Sequence, residues 1–196
     1  MSIIRHIAKT SALTDEKTLI HGCVNGLESY RYELYRRYAG KMLAVCKRYA
    51  GSKEDAEDYL QESFIKIFDK LNTYQFQGSL EGWIRRVVVH TCLNNLRSRK
   101  LYVDIADDAP IKDHNAVDAL NAMSEVELMT LVQTLPSGYR TVFNMYAIDG
   151  YDHAEIAATL GINEGTSRSQ LSKARIWLRN ALEKKTNTEG HVYQAR

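Results

Sequence analysis

The segment YDHAEIAATLGINEGTSRSQLSKARIWLRNAL, residues 151–182, has the sequence pattern of two helices joined by a short turn. Asp152, followed by Glu155 three positions later, forms a capping-box pattern at the start of the first helix. Gly161 is expected to end that helix in a left-handed conformation, which glycine adopts without steric cost. Asn163 is placed to cap the second helix. A short helix, a glycine-containing turn and a longer basic helix together predict a helix-turn-helix.

The second helix of this motif is expected to bury one side and present the other to a partner. At about 100° per residue, Leu171, Ala174 and Leu178 fall on one apolar side. The opposite side and its flank carry small polar and basic residues, namely Thr166, Arg168, Ser169, Ser172, Lys173, Arg175 and Arg179. A helix with these two sides fits the major groove of DNA. The alternative is a solvated helix with ordinary lysines and arginines on its outer face.

The composition is that of a globular chain. Of the 196 residues, 44% are hydrophobic and 26% are charged. No apolar run approaches the ~20 residues of a membrane span, and no secretion signal is recognisable, so we expect no membrane insertion and a cytoplasmic location. The widely spaced Cys23, Cys46 and Cys92 contain no CxxC pair, which predicts buried or half-buried free thiols. No nucleophile motif, phosphate-binding loop or metal-ligand spacing is present, so we expect no enzymatic activity, cofactor or metal site.

The N-terminal half contains an acidic amphipathic helix. Apolar residues recur at spacings of three and four from Leu27 to Ala50, and a second helix is predicted for residues 55–71, after a cap at Ser52. The side of this second helix that faces away from its apolar stripe carries Asp55, Asp58, Glu62 and Asp69. Acids near a helix start suit the helix dipole, so a well-capped surface helix is one interpretation. A docking face for a basic partner is the other.

A polar loop and a basic helix follow the acidic helix. The loop NTYQFQG, residues 72–78, carries Tyr74 and Phe76, and Ser79 is expected to cap a helix that runs to about Arg99. The outer face of this helix carries basic and polar residues, namely Arg85, Arg86, His90, Asn94 and Arg97. Cations that follow phosphates, next to rings that hold unstacked bases, are typical of single-stranded DNA binding. A core helix with a solvated basic side remains the alternative.

These patterns predict an all-α protein with two small helical domains. Residues 101–121 lose helical periodicity and contain an acidic block, which predicts a flexible acidic linker. Helical periodicity then restarts, and the helix-turn-helix falls in the second domain. The expected division is an N-terminal arm, a first domain, the linker, a second domain and a C-terminal tail, at residues 1–19, 20–100, 101–121, 122–184 and 185–196.

Four segments, in a fixed order, resemble the bacterial sigma-70 family, and specifically the short two-domain sigma factors of the extracytoplasmic-function (ECF) group. They are DAEDYLQESF at residues 55–64, GWI at residues 82–84 with Val87, Val88 and Arg97 after it, LPSGYRTVF at residues 135–143, and residues 151–175. The resemblance covers residues 20–183. It is carried by the order of the four segments, because each one alone is a weak signal.

The resemblance implies a subunit that gives RNA polymerase its promoter specificity. It implies that Asp55, Asp58, Gln61 and Glu62 dock on the coiled coil of the polymerase β′ subunit. The loop at residues 72–78 and the basic helix after it would melt the −10 element and trap an extruded base, and the helix-turn-helix would read the −35 element. The implied partners are core RNA polymerase, at its β′ coiled coil and β flap, promoter DNA, double-stranded at −35 and single-stranded at −10, and an anti-sigma factor.

Both DNA-binding segments depart from the family pattern. His90 and Asn94 stand where Asn and Asp are usual, and Ser167 and Gln170 replace the commoner Val and Arg. We therefore expect a base preference that differs from that of relatives. The rival hypothesis is a stand-alone helix-turn-helix regulator. It would explain residues 151–182 but neither the acidic helix nor the helix that contains Trp83.

Overall fold

The computed structural model describes residues 15–98 and 125–193, with side chains to residue 183. All regular structure in these two ranges is helical, and no strand occurs in them, which confirms the predicted all-α class. The chain divides into two compact units between Leu96 and Arg97. The predicted linker, residues 101–121, lies outside the described residues. The domain limits drawn from the sequence therefore stay predictions.

Four α-helices belong to the first unit, and side-chain caps mark the start of three of them, α1, α3 and α4. They are α1 (Glu16–Val24), α2 (Glu28–Tyr49), α3 (Lys53–Lys70) and α4 (Leu80–Ser98), with a short 3₁₀ turn (Leu71–Thr73) after α3. As predicted, Ser52 Oγ accepts a hydrogen bond from the Asp55 N–H at 3.1 Å, and Ser79 Oγ accepts one from the Gly82 N–H at 3.1 Å. Asp15 caps α1 in the same way. Residues 1–14 are outside the described part.

The core of the first unit lies between α2, α3 and α4. Its fully buried side chains include Leu34, Met42, Ala56, Ile67, Ile84 and Val88. Burial of side chains of this size contributes about 1.5–3 kcal/mol each, which holds three helices of modest amphipathicity together. The three cysteines are free and buried, as predicted, and burial raises the pKa of the Cys23 thiol to about 11.

The second unit is built around its last helix. Its elements are α5 (Glu125–Gln133), α6 (Ser137–Phe143), a π-helical turn (Asn144–Ile148), α7 (His153–Leu160) and α8 (Glu164–Tyr193). α8 packs on α5, α6 and α7. The predicted end of this helix near Leu182 is wrong, because α8 continues to Tyr193; the limit drawn between the second domain and the tail stays a prediction. Glu and Lys in this stretch favour a helix, and Gly190 alone costs about 1 kcal/mol, which is too little to stop it.

The helix-turn-helix forms with the caps that the sequence predicts. Asp152 and Glu155 exchange hydrogen bonds with each other's backbone N–H groups, at 2.7 and 2.9 Å. Gly161 ends α7 with φ of 69°, in the left-handed region. Asn163 Oδ1 accepts the Thr166 N–H at 2.7 Å and starts α8. In the two described ranges, no helix is both long enough and apolar enough to cross a bilayer.

Candidate nucleic-acid interface

The predicted recognition helix, α8, buries the apolar side that the sequence assigns to it. Leu171, Ala174 and Leu178 are buried within the second unit. Of the seven residues predicted to contact DNA, Arg168 and Ser169 are exposed, and the half-buried ones are Thr166, Ser172, Lys173, Arg175 and Arg179. The polar and basic side predicted for α8 is therefore present, and the first two turns of the helix are its most accessible part.

Arg168 is engaged within its own helix. Its Nη2 lies 2.8 Å from Glu164 Oε2, one turn away, and both side chains are well exposed. An exposed ion pair of this kind is worth about 0–1 kcal/mol, so an approaching phosphate or base can displace it at small cost. The exposed Glu164 also places a negative charge beside the groove-facing end of α8.

Ser167 lies between the two helices of the motif. It is fully buried, and its Oγ lies 2.9 Å from His153 Nδ1. The His153 ring stacks on Tyr146 with centroids 4.6 Å apart, and the Arg175 guanidinium lies 6.0 Å from the centre of the Tyr146 ring. Burial, with a smaller effect from Arg168, lowers the pKa of His153, which favours the neutral ring. Ser167, which stands where the family usually has Val, is therefore a packing residue of the helix-turn-helix. Its contact with His153 of α7 helps to hold α8 in place.

The aromatic loop holds one ring inside and one outside. Tyr74 is buried; its ring lies 5.0 Å from Phe76 and 5.7 Å from Trp83, and its hydroxyl donates to the Gly78 carbonyl at 2.9 Å. Phe76 is 45% exposed and has φ of 59°, a conformation that bulky residues rarely adopt. Lys17 Nζ lies 5.9 Å from the centre of the Phe76 ring. Phe76 is therefore available to a base, whereas Tyr74 supports the loop.

The basic helix, α4, aligns three of its predicted residues. Arg86, His90 and Asn94 recur every four positions, are exposed, and line one pocket of about 260 Å³ between α3 and α4. Arg97 is also exposed, near the end of the helix. Arg85 lies off this stripe and pairs with Glu81 at 3.6 Å. The stripe offers donors along a line that a strand of DNA can follow.

The acidic helix, α3, divides the four residues that the resemblance assigns to core polymerase. Asp58 and Gln61 are exposed, whereas Asp55 and Glu62 are half-buried. Glu62 accepts hydrogen bonds from Lys66 Nζ at 2.6 Å and from Asn95 Nδ2 at 2.5 Å, which lowers the pKa of the Glu62 carboxyl. Glu62 thus links α3 to α4. The Glu62–Asn95 hydrogen bond could not be predicted from local patterns, because its partners are 33 positions apart.

One apolar side chain stands among the exposed acids of α3. Ile65 is 63% exposed and lies one or two helical turns from Gln61 and Asp58. An exposed isoleucine flanked by polar groups suits a protein partner better than DNA. We call Asp58, Gln61 and Ile65 the α3 face. The α3 face lies in the first unit together with the α4 stripe, Arg86, His90 and Asn94. The exposed residues of α8, Arg168 and Ser169, which we call the α8 face, lie in the second unit.

Comparison with known proteins defines the class to which these two units belong. The model of sigma-70 region 2 matches residues 34–102, and that of sigma-70 region 4 matches residues 125–178. The two described units thus correspond to the two helical regions of sigma-70 proteins. The chain belongs to the sigma-70 family of RNA polymerase sigma factors, in its ECF group, as the resemblance implied.

Curated relatives carry ECF sigma factor names. The chain is 32% identical over 158 residues to ECF RNA polymerase sigma factor SigE of Mycolicibacterium smegmatis, covering 78% of this chain and 61% of that protein. It is 26% identical to SigM of Mycobacterium tuberculosis, covering 76% of each chain. It is 27% identical to the ECF sigma-E factor of Salmonella typhimurium, covering 87% of this chain and 95% of the relative. The chain therefore spans less than two thirds of the first of these relatives.

Two solved structures are also similar to this chain. One is CnrH in complex with the cytosolic domain of CnrY, with a TM-score of 0.47, 17% identity and coverage of 85% of this chain and 96% of the other. The second is the sigma factor RpoE in complex with the anti-sigma factor NepR from Bartonella quintana, with a TM-score of 0.49, 18% identity and coverage of 78% and 96%.

Proposed function

We propose that this chain binds core RNA polymerase, directs it to promoters with a −35 and a −10 element, and stabilises the melted −10 strand. It acts in the cytoplasm and has no catalytic step of its own. The observation that carries this proposal is the first unit, in which an exposed acidic face on α3 and a basic stripe on α4 occur together. A stand-alone regulator needs the helix-turn-helix but has no use for either surface.

Each surface has a proposed partner. The α3 face docks on the β′ coiled coil, through Asp58, Gln61 and Ile65, with Asp55 and Glu62 beside them. The loop with Phe76 and the α4 stripe contact the single-stranded −10 element. The α8 face contacts double-stranded DNA at −35, and the second unit also meets the β flap. An anti-sigma factor, which members of this family often have, completes the proposed partners.

The energetic division between these contacts follows from their chemistry. Lysine and arginine contacts to phosphates supply most of the affinity and make it depend steeply on salt. Contacts from Arg168, Ser169 and their neighbours to base edges supply discrimination, at about 1–3 kcal/mol for each good bidentate pair. Docking on the polymerase requires no base recognition, since a surface of complementary charge is enough to hold the subunit.

The test is co-purification with core polymerase, followed by run-off transcription from genomic fragments. The wild-type chain should bind core and start transcripts at discrete positions. Asp58→Arg combined with Gln61→Arg should abolish core binding, because both side chains are exposed and the changes reverse the charge of the α3 face. Glu62 is left intact in this variant because its bonds to Lys66 and Asn95 are structural.

The matched control is Glu28→Arg, which changes an exposed acid on α2, outside the α3 face. It should bind core as the wild type does. Unchanged core affinity in the Asp58/Gln61 double variant would overturn the docking assignment. A wild-type chain that binds duplex DNA but neither binds core nor starts transcripts would instead support the stand-alone regulator.

A further inference from the structure

The two helices of the helix-turn-helix meet through a histidine and a serine. His153 begins α7, and Ser167 lies in the first turn of α8, where its side chain is fully buried. His153 Nδ1 lies 2.9 Å from Ser167 Oγ. The Ser167 N–H also donates to the Asn163 carbonyl at 3.1 Å, so both the main chain and the side chain of Ser167 are held. Valine, the commoner residue at this position in the family, cannot form the side-chain bond.

Ser167 stands directly before the α8 face. Arg168 and Ser169 follow it in the chain, and both are exposed. Because Ser167 is tied to α7, these two side chains leave α8 at a fixed rotation about the helix axis. Groups that recognise a ligand must be held to within about 0.5 Å of the productive geometry. A contact at the base of the α8 face therefore affects the reading of base edges more than it affects contacts to phosphates.

Charged groups from both helices act on the His153 ring. Arg168 and Arg175 of α8 oppose a positive charge on the ring, whereas Glu164 and Asp152 favour one. Both acids are also engaged elsewhere: Glu164 Oε2 lies 2.8 Å from Arg168 Nη2, and Asp152 accepts a backbone N–H of its capping box at 2.7 Å. Burial, followed by Arg168, lowers the pKa of His153 below its ordinary value, so the ring of the free chain is neutral at pH 7.

Protonation of the ring leaves its contacts in place. A serine hydroxyl both donates and accepts, so Ser167 Oγ can bond to Nδ1 of the neutral or of the charged ring. The π-helical turn contributes Tyr146, whose ring stacks on that of His153 with centroids 4.6 Å apart, and an aromatic face attracts a cationic ring. The opposition to the charge therefore comes from burial and from the two arginines of α8.

Arg168 and Arg175 belong to the side of α8 that is proposed to contact DNA. Phosphates drawn to that side offset the repulsion between these arginines and a proton on His153, because a nearby anion favours the cationic form of a histidine. We propose that the His153–Ser167 pair positions the α8 face for base reading, and that His153 takes up a proton when −35 duplex occupies α8. This inference rests on the proposed function and adds to it a positioning pair and a dependence on pH.

The sign of the pH dependence follows from linkage. The complex with DNA holds the proton more tightly than the free chain, so binding takes up a proton. Duplex affinity therefore rises as the pH falls from 8 toward the range in which His153 titrates. The effect is confined to the −35 contact, because His153 lies in the second unit.

The experiment uses holoenzyme reconstituted from core polymerase and the full chain. The probe is a duplex promoter fragment that wild-type holoenzyme selects from genomic DNA, bound at low temperature so that it stays closed. His153→Asn keeps a polar atom near the position of Nδ1, and with it a bond to Ser167, but cannot titrate. His153→Ala has neither property. His21→Asn, at an exposed histidine of α1, is the matched control.

Between pH 8 and pH 6, wild-type holoenzyme should gain about two- to fivefold more duplex affinity than His153→Asn holoenzyme, the size of one exposed charge contact. The His21→Asn control should follow the wild type. Effects of pH on core polymerase and on the other histidines are common to these proteins and cancel in the comparison. An equal dependence on pH in wild type and His153→Asn would overturn the proton uptake while leaving the proposed function intact.

The positioning role is tested at pH 8, well above the ordinary pKa of histidine. The measurement is the ratio of affinities for the selected fragment and for one with altered −35 bases. His153→Ala and Ser167→Val should lower this ratio about two- to tenfold, a part of the discrimination of one bidentate pair. Affinity for the altered fragment, which depends on phosphates, should stay near the wild-type value.

His153→Asn should restore most of the ratio, because it keeps the bond to Ser167. Equal losses of affinity for both fragments would show a merely structural role and would overturn the positioning assignment, as would equal ratios for the Asn and Ala variants. Failure of wild-type holoenzyme to bind the duplex or to transcribe would overturn both the inference and the proposed function.

Discussion

Glu33 on α2 is held ionised by two arginines of its own helix. Arg36 Nε lies 2.8 Å and Arg37 Nε 2.7 Å from its carboxylate oxygens. These hydrogen bonds lower the pKa of Glu33 from 4.5 to about 2. Because the folded pKa lies below the unfolded one, the bonds stabilise the fold above about pH 4.5, and this contribution is lost as the pH falls toward 2.

Glu33→Gln should therefore lower the free energy of unfolding at pH 7 by about 1 kcal/mol, a value reduced for the solvent exposure of Arg36. The difference from the wild type should shrink as the pH falls from about 5 to about 3. Urea titrations at each pH measure it. Glu57→Gln is the control, because its partner Lys53 is 3.8 Å away and both are exposed, so it should stay near the wild type. A difference for Glu33→Gln that does not change with pH would contradict this account.

Phe76 combines an exposed ring with a left-handed backbone, φ 59°. Such a conformation costs a residue with a Cβ about 1–2 kcal/mol, and strain of this kind tends to persist at functional sites. Phe76→Gly and Phe76→Ala remove the same ring contacts with Tyr74, but only glycine relieves the backbone. We expect the glycine variant to be more stable than the alanine variant by about 1 kcal/mol, as measured by thermal unfolding.

Both Phe76 variants should reduce promoter melting, because the ring that can stack on a base is gone. Permanganate reactivity of thymines in the −10 region measures this effect. Tyr74→Phe, which removes only the hydroxyl that bonds to the Gly78 carbonyl, is the control and should melt DNA nearly as the wild type does. An alanine variant as stable as the glycine variant would show that φ at this position carries no strain.

The packing of α1 on α2 depends on a glycine inside a helix. A Cβ at Gly22 would lie 2.2 Å from Cγ of Tyr30, an atom near the base of that side chain, so it cannot simply swing away. Gly22→Ala should therefore destabilise the first unit by about 1–3 kcal/mol. Gly40→Ala is the matched control: Gly40 also lies in a helix, with nothing within 4 Å of the added atom. It should stabilise by about 0.5–1 kcal/mol. Denaturant unfolding of both variants checks the opposite signs, and equal signs would refute the close approach.

Local signals were enough to predict the helices, and contacts between helices were not. The caps at Ser52, Ser79 and Asn163 could be predicted because each involves residues three positions apart. The π-helical turn at Asn144–Ile148 has no comparable local signal, since it keeps the apolar recurrence of an ordinary helix. The extension of α8 to Tyr193 has no local signal either, because its polar sequence lacks the apolar recurrence that predicts a helix.

The same limit applies to the site. The periodicity of α4 predicts an outer face with Arg85, Arg86, His90, Asn94 and Arg97, and the structure aligns Arg86, His90 and Asn94 of this set along one pocket. The periodicity could not place Lys70 of α3 at the same pocket, because this placement depends on how α3 packs on α4. Nor could the sequence indicate that Tyr74 is buried and Phe76 exposed, because both are aromatic residues of one short loop. Burial and pairing between elements depend on tertiary contacts, which a single sequence does not display.

At the scale of the whole chain, a net charge of +2 conceals surfaces of opposite sign. The α3 face carries one acid, Asp58, the α4 stripe carries Arg86, and α8 begins with Glu164 paired to Arg168. Such separation allows one subunit to bind a protein partner and a polyanion without competition between them. It also allows the two proposed DNA-binding surfaces to be altered one at a time, since α4 and α8 lie in different units.

The proposed division of DNA contacts between the two units predicts two different defects. Arg168→Ala should weaken binding of holoenzyme to duplex promoter DNA about three- to tenfold at fixed salt, while bound complexes melt at the wild-type rate. Arg86→Ala should leave initial duplex binding nearly unchanged and lower the yield of open complexes, because the α4 stripe is the surface proposed to contact the melted strand. Filter binding at low temperature and permanganate reactivity on warming separate the two steps.

Glu164→Gln, which releases Arg168 and removes a negative charge near the proposed DNA-binding end of α8, is the control and should bind duplex at least as tightly as the wild type. Because Arg168 and Arg86 share no partner, the free-energy costs in the double variant should add to within about 0.5 kcal/mol. If each variant weakened both steps equally, the two units would not divide placement and melting between them.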